Sequence, residues 1–195
     1  MSLVAEKRAA RRAREHQLSR AAILESARKV AARVGAEQFS LRGVAAEAGF
    51  TPAALYGYFR DKDELLLALA AEDLSALSRA LREAPDGDFG AALSEAMEIL
   101  QGAEAMAAAT AALSAGKADG EAERLFNGRL ITALKALSEA AGLPADSRQS
   151  QADVVLIAAA LAGLAVLVRS GRLAALGFSP SEILARLSAR ILAQP

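Results

Sequence analysis

Residues 39–65 read Phe39-Ser40-Leu41-Arg42-Gly43-Val44-Ala45-Ala46-Glu47-Ala48-Gly49-Phe50-Thr51-Pro52-Ala53-Ala54-Leu55-Tyr56-Gly57-Tyr58-Phe59-Arg60-Asp61-Lys62-Asp63-Glu64-Leu65. Ser40 is a good N-cap, Leu41, Val44, Ala45 and Ala48 follow on one face, and Gly49 ends the element. Thr51 then caps a second helix with Pro52 at its first position, continued by Leu55, Tyr56 and Phe59. Two short helices, 40–49 and 51–60, therefore meet across a glycine turn. Small residues at the corner (Ala45, Ala48, Gly49) let them cross closely. With a helix packed before them, this pattern predicts a helix-turn-helix whose second helix leads into a major groove with its N-terminal turn.

Upstream, Ile23, Ala27, Val30, Ala31 and Val34 recur at helical spacing until Gly35 supplies a stop. Residues 1–17 have no apolar period and carry a Lys/Arg cluster, which reads as a basic mobile arm. Downstream, Asp61-Lys62-Asp63-Glu64 opens a connecting helix over 62–84 in the manner of a capping box. Pro85-Asp86-Gly87-Asp88 is a clear turn. Beyond it the periodicity predicts helices at 88–101, 103–115, 118–141, 147–170 and 179–193. The expected fold is all-α, with about nine helices: an arm over 1–17, a helix-turn-helix, DNA-binding domain over 18–61, a connecting helix over 62–84 and a second helical domain over 85–195.

Composition agrees. About a quarter of the 195 residues are alanine, and there are six Phe, two Tyr and no Trp, so aliphatic side chains must build a helical core. With no Cys and a single His, thiolate zinc sites, disulfides and multi-histidine metal sites are excluded. His16 lies in the charged arm without apolar surroundings, and no nucleotide-binding glycine loop occurs, so no catalytic residue, metal site or cofactor is expected. No apolar segment follows the basic residues of the start, and the longest apolar run, 154–168, is shorter than the roughly 20 residues that span a bilayer. A cytoplasmic protein with no membrane partner is expected.

The formal net charge is zero, from 23 basic and 23 acidic side chains. The signs are segregated, however. Residues 1–60 carry 11 basic and 5 acidic groups, a net +6, and the remainder carries −6. A basic head of this kind suits a polyanion such as DNA, although a solubilising tail produces the same imbalance. Thr51, Tyr56, Tyr58 and Lys62 cluster hydroxyls and a cation that can bond phosphate oxygens. The N-termini of the helices begun by Ser40 and Asp61 offer backbone N–H groups to the same anions.

The run 39–65 closely resembles the N-terminal signature of TetR-family transcriptional regulators: a small residue, Gly, a hydroxyl, Leu-Tyr, an aromatic, Phe, and Lys opening the next helix. The likeness covers about residues 18–70. It implies that Thr51, Tyr56, Tyr58 and Lys62 grip backbone phosphates, that Arg42 contacts bases or phosphate, and that Pro52, Ala53 and Ala54 fall where specificity is read; Ser40, at the start of the first helix of the pair, is counted with the DNA-binding residues. Ala53, Ala54 and Gly57 offer no side-chain hydrogen bond, only van der Waals contact with thymine methyls. The basic arm 7–14 adds phosphate or minor-groove contacts or is a solubilising tail.

The resemblance further implies a homodimeric repressor of a pseudo-palindromic operator, released when a small molecule binds the C-terminal domain. The apolar helix 154–168, expected to be buried on more than one side, and the helix 179–193 suggest a four-helix dimer interface through Val155, Ala158, Ala159, Ala162, Val166, Ile183, Leu187 and Ile191. Met97, Gln101, Met106, Thr110, Phe126, Asn127 and Leu130 mix apolar and polar groups as ligand pockets do, and the scarcity of charge over 89–115 points to a hydrophobic ligand. The alternative is a helical small-molecule-binding or sensor protein of the same fold without operator specificity.

Overall fold

The computed structural model describes residues 3–85, 87–103, 105–106, 109, 120–144 and 146–193, of which 3–5 and 36–37 only as backbone. Among the described residues there are nine helices and no strand: α1 (Leu3–Gln38), α2 (Leu41–Ala48), α3 (Pro52–Leu55), α4 (Lys62–Glu83), α5 (Phe89–Gly102), α6 (Glu121–Ala140), α7 (Arg148–Arg169), α8 (Arg172–Ala175) and α9 (Pro180–Leu192). The helix expected at 103–115 lies mostly outside the described residues. Two compact units divide the chain, 1–69 with 104–122 and 70–103 with 123–195, the division falling inside α4.

The first unit is built on α1 to α3 and the start of α4. Ile23, Leu24, Ala27 and Val30 of α1 meet Phe39, Val44, Leu55, Phe59, Leu65 and Leu69 in one core. Each large side chain removed from water here stabilises the unit by about 1.5–3 kcal/mol. Gly35 breaks α1 with φ 70° and ψ 170°, the stop that the sequence indicates. Ser40 caps α2 by accepting from the Gly43 N–H at 3.2 Å. Gly49 closes α2 in the left-handed region, with Phe50 N–H donating to Ala45 O at 2.9 Å, a Schellman-type end that favours glycine.

Three expectations are corrected here. The basic segment 1–17 is not a separate arm: from Leu3 it is continuous with α1, because residues 3–34 contain neither Gly nor Pro to end a helix. The second helix of the pair is not ten residues long. α3 is a single turn, and residues 56–58 form a turn that carries the chain to the buried Phe59. The capping box at α4 is also displaced: Asp61 accepts from Glu64 N–H at 2.8 Å, but Glu64 reaches back to Arg60, accepting from its N–H at 2.7 Å and its Nε at 3.2 Å.

In the second unit α5 packs against α7 and α9. Leu81, Phe89, Leu93, Met97, Leu137, Ile157, Leu161, Leu164 and Leu184 form its core. α7 departs from expectation. Val154, Ile157, Leu161, Leu164 and Ala165 are buried on one side only, while Val155, Leu156, Ala159, Ala162, Gly163, Val166 and Leu167 face solvent. Its 22 residues also make it, among the described residues, the one helix long and apolar enough to cross a membrane.

α9 begins as the sequence predicts. Ser179 Oγ accepts from Glu182 N–H, and the Glu182 carboxylate accepts from Ser179 N–H at 2.7 Å. The bond from Ser179 N–H, then that from its hydroxyl, holds the Glu182 carboxyl below the usual carboxylate range. A carboxyl depressed in the folded state contributes stability above its unfolded value and loses it as pH falls through the folded value. Acidification through and below the normal carboxylate range is therefore expected to fray α9. In Glu182→Gln, amide exchange of Ser179 followed by NMR should lose that pH dependence; an unchanged acid response would remove the role of the box.

Candidate nucleic-acid interface

The surface around α3 follows from its burial pattern. Leu55 and Phe59 turn inward at no more than 2% exposure, which leaves Thr51, Pro52, Ala53, Ala54, Tyr56 and Gly57 on solvent. Thr51 caps α3, its Oγ1 accepting from Ala54 N–H at 3.2 Å. Ser40 has the same geometry on α2. Each cap uses an oxygen lone pair, so its O–H proton is left to donate to an anion beside the helix end. Lys62 is exposed at the first position of α4, and Arg42 is exposed on α2. The Tyr56 ring is 56% exposed although the chain around it is tightly folded, so it is held outward by the backbone. A Cβ at Gly57 would lie 3.2 Å from Ala54 O, so glycine lets this turn close.

Tyr58 differs from Tyr56. It is half-buried, with its ring edge-on to Phe50 at 6.1 Å and stacked on His16 at 4.6 Å between centroids. His16 is thus not without partners, as the sequence suggests. Arg20, one turn later, lies 5.2 Å over the Phe59 ring. Arg33 donates to Glu47 at 2.9 Å and pins α1 to α2. Sequence reasoning misses His16 and Arg20 because their partners stand some 40 residues away; only the i, i+4 spacing hints that they share a face.

All of the candidate residues in 40–62 are brought to this one unit. The candidate pocket residues are divided between the two units. Met97 and Phe126 are buried in the second unit, Gln101 is half-buried, Met106 belongs to the first unit, and Thr110 lies outside the described residues. Asn127, about 100° around α6 from the buried Phe126, is exposed, and Leu130 is 37% exposed. Of the six described candidates, none lines the two cavities of the second unit that follow. One, of about 190 Å³, lies among Leu81, Arg82, Pro85, Ala92 and Ala136. The other, a cleft of about 570 Å³, lies among Ile131, Leu134, Lys135, Ser138, Leu143, Val154 and Val155. Of the candidate pairing residues, Val155, Ala159, Ala162 and Val166 are exposed, Ala158 is half-buried, and Ile183, Leu187 and Ile191 are half-buried against the core of their own chain. Among the described residues no group of His, Asp or Glu is arranged to hold a metal ion.

This surface lies in a stretch shared with known proteins. The family of bacterial regulatory proteins of the tetR type matches over residues 23–69, which include α2, α3 and the Tyr56–Phe59 turn. The nicotine-responsive transcriptional repressor HdnoR of Paenarthrobacter nicotinovorans, of helix-turn-helix type, is 42% identical over 65 residues, 33% of this chain. The match spans about a third of that relative, 34% of its length. Among solved structures, a transcriptional regulator from Rhodococcus sp. Rha1 superposes with a TM-score of 0.65 at 24% identity, over 88% of this chain and 93% of that one. The TetR-like regulator LfrR of Mycobacterium smegmatis, in complex with proflavine, gives 0.62 at 20% identity, over 93% of this chain and 97% of that one. At such identities the structures share the fold, while the sequence match falls on the helix-turn-helix itself. Residues 23–69 of the chain are thus a domain of the tetR type of bacterial regulatory proteins.

Proposed function

We propose that the protein is a cytoplasmic, homodimeric DNA-binding transcriptional regulator, a repressor released from a pseudo-palindromic operator by a small hydrophobic molecule. The observation that carries this is the surface of residues 51–57, where every side chain except Leu55 is left on solvent, beside the hydroxyls of Ser40 and Thr51 and the cation of Lys62. These groups can donate to anions, and the hydroxyls of Ser40 and Thr51 also cap their helices. Tyr56 and Lys62 grip phosphates, Arg42 supplies direct readout, and Pro52, Ala53 and Ala54 read thymine methyls by shape. The repressor role of the curated relative and the small ligand bound by LfrR support the regulatory half.

Dimerisation through the bare face of α7 would set the separation of two α3 turns, which must be about 34–36 Å to enter successive major grooves. An effector that prefers a conformation with another separation weakens DNA binding, and DNA weakens effector binding by the same factor. The apolar cleft between α6 and α7 has a volume suited to a small molecule.

The purified protein should prefer DNA from upstream of its own gene over random DNA at moderate salt, with affinity falling steeply as salt rises. Tyr56→Ala with Lys62→Ala should abolish that preference while leaving the helical content intact. Equal affinity for both DNAs, measured by fluorescence anisotropy, would overturn the proposal.

A further inference from the structure

The N-terminal part of α1 is a continuous helix whose orientation is fixed by two side chains. His16 stacks on Tyr58 with ring planes 24° apart, and Arg20 covers the Phe59 ring. Both partners sit in the turn that follows α3. At about 100° per residue, the face of α1 that docks on this turn continues toward the N-terminus through Arg12, about 40° from His16, and Arg8, about 80° from it. By rise alone Arg12 stands about 6 Å and Arg8 about 12 Å beyond the stack. The other basic residues of the segment point elsewhere: Lys7 and Arg14 fall about 180° and 160° from His16, and Arg11, about 140° away, pairs with Glu15 at 3.3 Å. Arg8 and Arg12 are exposed, and no ion pair engages either among the described residues.

We infer that His16 is a positioning residue that seats the N-terminal extension of α1 on Tyr58, so that Arg8 and Arg12 form a second row of phosphate contacts on the DNA held by the helix-turn-helix. The inference rests on the DNA-binding function proposed above. Two cations carried on a helix already ordered bind phosphates without the entropy cost of ordering a flexible arm.

The test is the salt dependence of binding of the full chain to mixed-sequence duplex DNA. Each phosphate contact contributes about 0.9 to the slope of log K against log salt, so Arg8→Gln with Arg12→Gln should lower the slope by about 1.8 per protomer. His16→Ala should lower it in the same direction, and His16→Phe, which keeps a stacking ring, should restore it. In the Arg8→Gln, Arg12→Gln background, His16→Ala should change nothing further. An unchanged slope in the double arginine variant, with Tyr56→Ala and Lys62→Ala still reducing binding, would overturn the extension while leaving the helix-turn-helix function standing. A full additional loss on removing His16 from that background would overturn its positioning role. Failure of the wild-type chain to bind duplex DNA would overturn both.

Discussion

Phe59→Ala is expected to cost about 3–5 kcal/mol, the usual range for deleting a fully buried aromatic ring. Phe59 is 2% exposed in the core with Ile23, Leu24, Leu55 and Leu65, and it lies beneath Arg20. The loss has two parts, the apolar area no longer buried and a cavity that four packed helices cannot collapse. Against a whole-domain stability of about 5–15 kcal/mol, this is enough to leave the first unit largely unfolded at physiological temperature. Thermal unfolding followed by circular dichroism should therefore become biphasic or shift sharply downward, and DNA binding should fall with the first transition. Leu18→Ala, at a side chain 64% exposed, is the control and should stay within about 0.5 kcal/mol. A Phe59→Ala loss below about 1 kcal/mol would mean that this ring does not organise the core.

Leu156→Glu is the second large effect. Leu156 is 64% exposed near the N-terminal end of an apolar strip on α7 that runs from Val155 to Leu167, with the small residues Ala159, Ala162 and Gly163 in its middle. Such a strip lets a second helix approach closely, and in a two-fold dimer it meets its own copy. A carboxylate buried there without a partner costs about 3–5 kcal/mol, and symmetry introduces it twice. The dimer dissociation constant should therefore rise by roughly four orders of magnitude or more, since about 1.4 kcal/mol corresponds to a factor of ten. Sedimentation should show a dimer for the wild-type chain and a monomer for the variant at micromolar concentration. Helical content should not change, because the residue touches little of its own core. Operator affinity should collapse, because one recognition turn alone engages only half of a pseudo-palindrome. A variant that remains dimeric would place the interface elsewhere.

The helix-turn-helix was legible because its signals are local. Ser40, Gly49, Thr51-Pro52 and the buried spacing of Leu41, Val44, Leu55 and Phe59 each act within a turn or two of the chain, and the structure uses all of them. The exposure of the candidate pocket residues was not legible. A polar residue within an apolar helix, such as Asn127, is assigned to a pocket or to solvent by the phase of the helix, and that phase is set by distant neighbours of Phe126, Ala133 and Leu137. The apolarity of α7 was likewise evident, but how many of its sides the chain itself covers was not.

By itself the sequence determined the all-α class, the caps and breaks of the helices, the glycine turn at Gly49 and the segregation of charge into a basic head. These depend on backbone propensity, side-chain period and charge, which are properties of neighbouring residues. Only the tertiary structure decided that α3 is one turn long, that His16 and Arg20 lock the basic extension onto Tyr58 and Phe59, and that one side of α7 stays bare. Each of those depends on which surfaces meet across long stretches of chain, and packing chooses among faces that local spacing leaves equivalent.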